Sequence, residues 1–338
     1  MRGSLLAMLL GSQPLLLGSS LALLGCSAED EAPPAPTFVV VTFNTGTTVV
    51  MGSQNPNDGY GSAEAKQSDL YYGDGLAWRA VVEDTKAFLA QVSPDILGFQ
   101  EIFYSGDCTT VPADAKTGFV CETWQPQDPT VAQVILGAGY QVACHQGKSD
   151  KCIAVKRSFA SIDGCVDDLC LDFLDGAEIP GCGSGSRIGR AALTLAKDDQ
   201  PLVVVNVHGS SGLKLEDTSC RAQQFALVFE DMNGSPAANG ERNIVLGDLN
   251  TDPFRADSFD PSAQKFNQYA GPNKPFEFIT EVGPDALSTY AGNFNIDHVV
   301  SDAYSGNCWT AGASPGRPAV SEVAYFDHKP AVCTLRAR

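Results

Sequence analysis

Ile244-Val245-Leu246-Gly247-Asp248-Leu249-Asn250-Thr251-Asp252-Pro253 is the stretch on which the reading of this 338-residue chain turns. Ile244-Val245-Leu246 has the β-branched and apolar character of a buried strand. It runs directly into Asp248, Asn250 and Asp252, so a rigid element presents carboxylate and amide groups at its end. Taken alone the pattern is bland, because an Asp or Asn after a strand is more often a turn former than a catalyst.

The same arrangement recurs on both sides of it. Thr42-Phe43-Asn44, Gly98-Phe99-Gln100-Glu101, Asn206-Val207-His208-Gly209 and Phe326-Asp327-His328-Lys329-Pro330 each put a polar, metal-competent residue after an apolar run. Asn295-Ile296-Asp297-His298-Val299-Val300 places Asp297 within a strand. Alternation along that strand turns His298 to the opposite face, as a satisfied structural histidine. Six such segments in one chain outweigh the turn-former reading. His145, between Cys144 and Gln146, reads as a surface-loop residue.

Between these segments buried strands and amphipathic helices alternate. Strands are expected at 38–43, 96–99, 152–156, 191–196, 202–207, 244–246, 294–300 and 331–335, and helices at 76–92, 131–136 and 219–232. Residues 51–75 and 104–130 read as loops. Several consecutive strands lack intervening helices, which argues against a purely parallel sheet. Two packed sheets with outer helices, of α/β (α+β) class, fit better. No low-complexity boundary divides residues 38–338, so they read as one domain.

The formal charge is −18, and no run of Lys or Arg occurs. A protein that grips nucleic acid by charge alone would show the opposite balance. Any polyanionic substrate therefore needs a bound cation or a locally basic cleft. Residues 1–26 read as a targeting segment with a basic start, an apolar stretch from Leu15 to Leu24, and Leu23-Leu24-Gly25-Cys26 at the cleavage site. The ending resembles a lipoprotein signal, with lipid on Cys26 attaching the chain to an outer membrane; plain secretion is the alternative. Residues 27–37 form an acidic, Pro-rich tether. Of 11 cysteines, ten remain once Cys26 is set aside, an even number that predicts a disulfide framework in an exported protein. Close pairs such as Cys108/Cys121 and Cys144/Cys152 would staple loops or hairpins. Cys165/Cys170 and Cys144/Cys152 are not spaced like zinc ligands.

In order and spacing, the six segments resemble the endonuclease/exonuclease/phosphatase superfamily (deoxyribonuclease I-like). The resemblance runs from Asn44 to Leu335 and is most specific at Gly247–Pro253 and Asp327–Pro330; the helix bearing Arg221, Gln223 and Gln224 fits it too. It implies two packed mixed β-sheets flanked by helices, a four-layer α/β/β/α sandwich. It further implies that Glu101, with Asn44 in support and Asp327 nearby, binds Mg²⁺, or Mn²⁺ or Ca²⁺. Asp248 would orient or deprotonate the attacking water, and Asn250 would bond phosphate oxygens. His328, oriented by Asp297, would contact the phosphate or act as acid/base. His208 would stabilise the charged intermediate or protonate the leaving oxygen. Relatives of deoxyribonuclease I also carry an acidic partner for the first histidine, and the region of residues 152–156 is the candidate for it.

The expected function is a metal-dependent hydrolase of phosphate esters, exported, monomeric, and acting on a phosphodiester such as nucleic acid. A phospholipase C or sphingomyelinase, or a phosphoinositide phosphatase, is the alternative within the superfamily. A lipid-directed enzyme would expose an aromatic hairpin, to which Phe103-Tyr104, Tyr71-Tyr72 or Trp124 would contribute. An inactive surface binding module is the alternative of another class. The Gly-rich stretch 181–189 does not read as a phosphate-cradling loop, though Arg187 within it or Arg190 after it would reach a substrate phosphate. Asp58, Asp69 and Asp74 read as solvated loop residues. The insertions at 51–75, 104–130 and 160–187 are where substrate choice would reside.

Overall fold

Val40 and Val41 are both fully buried, on opposite faces of one strand. A strand covered on both sides reads as a continuous apolar run rather than an alternating one, as Phe38–Phe43 does. The computed structural model describes residues 36–47, 62–73 and 75–338. The expected targeting segment and most of the tether, together with Asp58 and Asp74, lie outside the described residues.

Thirteen strands among the described residues form two sheets. The first contains β1 (Thr37–Asn44), β2 (Ile96–Gln100), β3 (Tyr140–His145), β4 (Lys148–Lys156), β6 (Leu169–Leu174), β12 (Tyr304–Thr310) and β13 (Ala331–Ala337), in the order β12-β13-β1-β2-β4-β3-β6. The second contains β5 (Ala160–Ile162), β7 (Ile188–Leu195), β8 (Pro201–His208), β9 (Asn243–Asp248), β10 (Glu277–Phe278) and β11 (Asp297–Ser301), in the order β10-β11-β9-β8-β7-β5. Each sheet is mixed. β1/β2 and β8/β9 are parallel, whereas β1/β13 and β9/β11 are antiparallel.

Three apolar layers hold the elements together. Val40, Ile96 and Ile153 of the first sheet meet Val204, Leu246 and Val299 of the second in the central layer. Val41, Phe43 and Leu97 face outward onto the helices α2 (Arg79–Val92) and α3 (Val131–Leu136). Val205, Val207 and Val245 face the helices α4 (Leu215–Phe229) and α5 (Pro261–Asn267) through Phe225, Val228 and Phe266. This is the expected four-layer sandwich. Cutting a side chain such as Leu246 to Ala should cost about 2–5 kcal/mol. The sheets approach closely because residue 98 is Gly: a Cβ there would lie 2.0 Å from Leu246 Cδ1.

Five disulfides join the described cysteines: Cys108–Cys121, Cys144–Cys152, Cys165–Cys170, Cys182–Cys220 and Cys308–Cys333. Cys144–Cys152 and Cys308–Cys333 bridge directly opposed residues of neighbouring strands. No helix among the described residues is long and apolar enough to cross a membrane.

Several local expectations are corrected. Residues 62–72 are helical, as α1 (Ser62–Gln67) and a π-helical turn, with Ala65, Ser68 and Tyr72 buried at helical spacing; their polar composition hid this. β3 escaped notice because Gln141 and His145 lie within it. His145 is not a surface residue: it is fully buried, its Nδ1 3.2 Å from Ser186 O and its Nε2 3.2 Å from Asn206 Nδ2. β11 begins at Asp297 rather than Phe294, because Phe294 turns back to bond with Thr289 and Tyr290.

Candidate active site

Topology brings the polar segments to one edge. Asn44, His208 and Asp248 end β1, β8 and β9, and Glu101 follows β2. Asp297 opens β11, directly opposite Asp248. His328 precedes β13, whose start lies beside the end of β1. Strands entering antiparallel thus deliver their first residues where the parallel strands deliver their last.

Asp248 is the hub. Its Oδ2 accepts from Asn44 Nδ2 at 3.0 Å and Asn250 Nδ2 at 2.9 Å, and its Oδ1 accepts from Asn250 N at 2.7 Å. The Nε2 atoms of His208 and His328 each stand 3.7 Å from the same Oδ2. Burial pushes the Asp248 carboxyl up to about 7; His328 pulls it down, and Asp297 adds to the rise.

The two histidines are in opposite states. His328 Nδ1 donates to Asp297 Oδ2 at 2.8 Å. Burial works against its charge, yet Asp297, Asp248 and that hydrogen bond raise it to about 10. His208 is held well below its ordinary value by burial first, then by the charges of Lys151 and Arg187. Its Nδ1 is buried without a hydrogen-bond partner. The 3.3 Å contact between His208 Nε2 and Glu101 Oε1 therefore involves a neutral ring and is not an ion pair.

Glu101 has φ 59° and turns back toward Gly46, where a Cβ would lie 2.0 Å from Glu101 Oε2. The Asp327 amide donates to Gly46 O at 3.3 Å, and Asp327 Oδ1 is buried with no partner. Burial and then the Asp327 charge raise the Glu101 carboxyl. Two repelling carboxylates, one with an orphaned oxygen, fit a hard divalent cation. Thiolate ligands are excluded, since the described cysteines are all in disulfides. Asp248, Asp297 and His328 also offer one atom each within 4.8 Å of one another. Asp248 is held by the two asparagines and Asp297 Oδ2 by His328, and a His328 ring kept charged cannot ligate a cation, so Glu101 and Asp327 are the better ligands even though Asp297 Oδ1 is also buried without a partner.

No protein-family model and no curated protein matches the sequence. Solved structures do. An endonuclease/exonuclease/phosphatase from Beutenbergia cavernae aligns with a TM-score of 0.54 at 13% identity, over 89% of this chain and 72% of that one. Another from Bacteroides vulgatus gives 0.51 at 11% identity, over 90% and 100% of the two chains. The chain has the endonuclease/exonuclease/phosphatase fold. The human nocturnin catalytic domain, described with bound sulfate anion, aligns at 0.50 and 12% identity, over 90% and 96%.

On this endonuclease/exonuclease/phosphatase scaffold all eight expected residues, Asn44, Glu101, His208, Asp248, Asn250, Asp297, Asp327 and His328, meet at one edge. His298 faces away, its Nε2 2.8 Å from Asn295 O and its Nδ1 2.9 Å from Thr280 Oγ1. Two details differ from expectation. Both amide protons of Asn250 are taken, one by Asp248 and one by Gly209 O at 3.0 Å, so it positions Asp248 rather than offering a free donor. Residues 152–156, where an acidic partner for the first histidine was sought, contain no acid; just before them on β4, Lys151 is 2% exposed with its Nζ 2.7 Å from Asp150 Oδ2.

Three neighbours escaped the sequence reading in whole or part. Lys151 had a signal, a charge inside the buried run Lys151-Cys152-Ile153-Ala154-Val155. Arg187 borders His208, whereas Arg190 is tied to Asp175 and Asn239. Tyr290 stands 4.6 Å from the His328 ring, centroid to centroid, and had no signal. Behind His208, buried Arg221 holds the following loop by bonding Ser210 O and Gly212 O at 2.7 Å and Asp260 Oδ2 at 2.9 Å.

Proposed function

We propose that this chain is an exported, divalent-metal-dependent phosphodiesterase, with nucleic acid as its favoured substrate class. The observation behind this reading is the meeting of Asp248 with one charged and one neutral histidine beside the Glu101–Asp327 pair. Asp248, raised to about 7, is matched to accept a proton from an attacking water at neutral pH. Asn44 and Asn250 fix the oxygen that would receive it. His328, kept charged by Asp297, would face the negative charge that grows on the phosphoryl oxygens. Lys151 and Arg187 add positive charge from the His208 side, leaving His208 a neutral hydrogen-bonding group. Glu101 and Asp327 would hold Mg²⁺ or a similar ion, which supplies Lewis-acid polarisation of a phosphoryl oxygen when bound.

The local chemistry also answers the charge problem. A chain of net charge −18 would repel phosphate unless its site offers positive charge, and Lys151, Arg187, His328 and a bound cation would supply that against the surrounding carboxylates. Five disulfides support an oxidising destination outside the cytosol. The lipid-hydrolase alternative is the weaker one: of its candidate docking aromatics Phe103 and Tyr72 are buried and pack against each other at 5.0 Å, which leaves Tyr71 as the exposed one, at 42%. Assay of DNA, RNA, sphingomyelin and phosphoinositides with and without Mg²⁺ tests the reading. Cleavage of none of them would end it.

A further inference from the structure

A cavity of about 320 Å³ opens beside the catalytic edge, and its apolar wall is made by Leu213, Ala256, Phe259, Tyr290, Phe294 and Ile296. It is continuous with the candidate active site through two shared residues. Asn250 lines it and also holds Asp248; Tyr290 lines it and also packs on His328. Its rim is unusually apolar for a surface, with Leu213 80%, Phe259 69% and Phe294 46% exposed.

The polar groups in the walls are committed to each other. Thr251 Oγ1 donates to Asp260 Oδ2 at 2.6 Å, and Asp260 also takes Arg221 and Ser262. Asp252 takes Arg255 at 2.8 Å and the Asn295 amide at 3.2 Å. Hydrogen-bond reading of an occupant is therefore weak, while three aromatic side chains offer flat faces.

We propose that this pocket receives a planar aromatic ring carried by the phosphate ester, a nucleobase being the natural source. The proposal rests on the phosphodiesterase reading and names what lies next to the phosphate. Stacking suits this chain because its charge denies it the usual electrostatic grip on nucleic acid. It is also tolerant of sequence, since every base has a π-face. A membrane surface is the weaker occupant, because the strongly acidic chain lacks the basic residues that assist binding to anionic lipid.

The test compares thymidine 5′-monophosphate with 2-deoxyribose 5-phosphate, alike in sugar and phosphate but not in the ring, by calorimetry in Mg²⁺; neither contains a phosphodiester bond to cleave. The wild type should bind the first about tenfold more tightly or better, in the range of base–aromatic stacking. Phe259→Ala/Phe294→Ala, altering two exposed side chains outside the catalytic set, should erase that preference and leave deoxyribose phosphate unaffected. Equal binding of both ligands by the wild type overturns the proposal, as does a preference that survives both substitutions. Sedimentation with phosphatidylcholine vesicles, lost in the double variant and with no ring preference, would assign the patch to a membrane and overturn it too. A ring preference in a protein that cleaves no phosphodiester would uphold the pocket and refute the phosphodiesterase reading.

Discussion

His328 and Asp297 are joined ring nitrogen to carboxylate at 2.8 Å, across 31 residues of sequence. The bond settles which face of the imidazole meets the site, because Nδ1 is taken and Nε2 points toward Asp248. Asp297→Asn keeps the shape but removes the charge that sustains the imidazolium. Turnover should fall about 10²–10⁴-fold, with folding judged normal by circular dichroism. Loss confined to KM, with kcat intact, would contradict the assignment.

His208 and His298 are both buried, yet only His208 faces the edge where the strands end. His208→Ala should reduce turnover by at least about 10²-fold, whereas His298→Ala should keep turnover within a few-fold once its lost stability is allowed for. An inactive His298→Ala protein that is fully folded would overturn the placement of the site.

Lys151 lies just before residues 152–156, where an acidic partner of the histidine was sought, and its charge helps hold His208 below its ordinary value. Lys151→Met, similar in length but uncharged, should weaken inhibition by inorganic phosphate about 10–100-fold, the worth of a charge-assisted hydrogen bond. Unchanged phosphate inhibition would show that the buried ammonium serves only Asp150.

His145 supplies a pH prediction. Burial, aided by Lys151, lowers it to about 3, against about 6.5 in an unfolded chain. The folded state therefore holds it neutral, and its contribution is complete above about pH 6.5. As pH falls from there toward 3, the unfolded chain takes up the proton and stability drops, by up to about 1.4 kcal/mol per pH unit. His145→Gln should show a shallower acid loss of melting temperature than the wild type. Parallel curves would contradict it.

Much of this was legible from the strand-ending segments, because buried strands write continuous apolar runs and their polar ends stand out. The Asp248 and His328 segments identified the site this way. The hidden parts lack such contrast. Tyr290 sits in a turn whose role comes only from packing against His328. β3 carries Gln141 and His145 inside the core, where hydrogen bonds rather than apolarity justify burial. The commitment of Asn250 to Asp248 and Gly209 depends on a left-handed backbone, φ 52°, that no residue pattern announces.

The central claim is hydrolysis of a phosphodiester by Asp248 beside a divalent cation. The most direct measurement is turnover of DNA and RNA by wild type and Asp248→Asn, each in EDTA and in Mg²⁺. The account predicts cleavage by the wild type in Mg²⁺, none in EDTA, and a loss of about 10²–10⁴-fold in folded Asp248→Asn. Cleavage that persists in EDTA, or that survives Asp248→Asn undiminished, would contradict it.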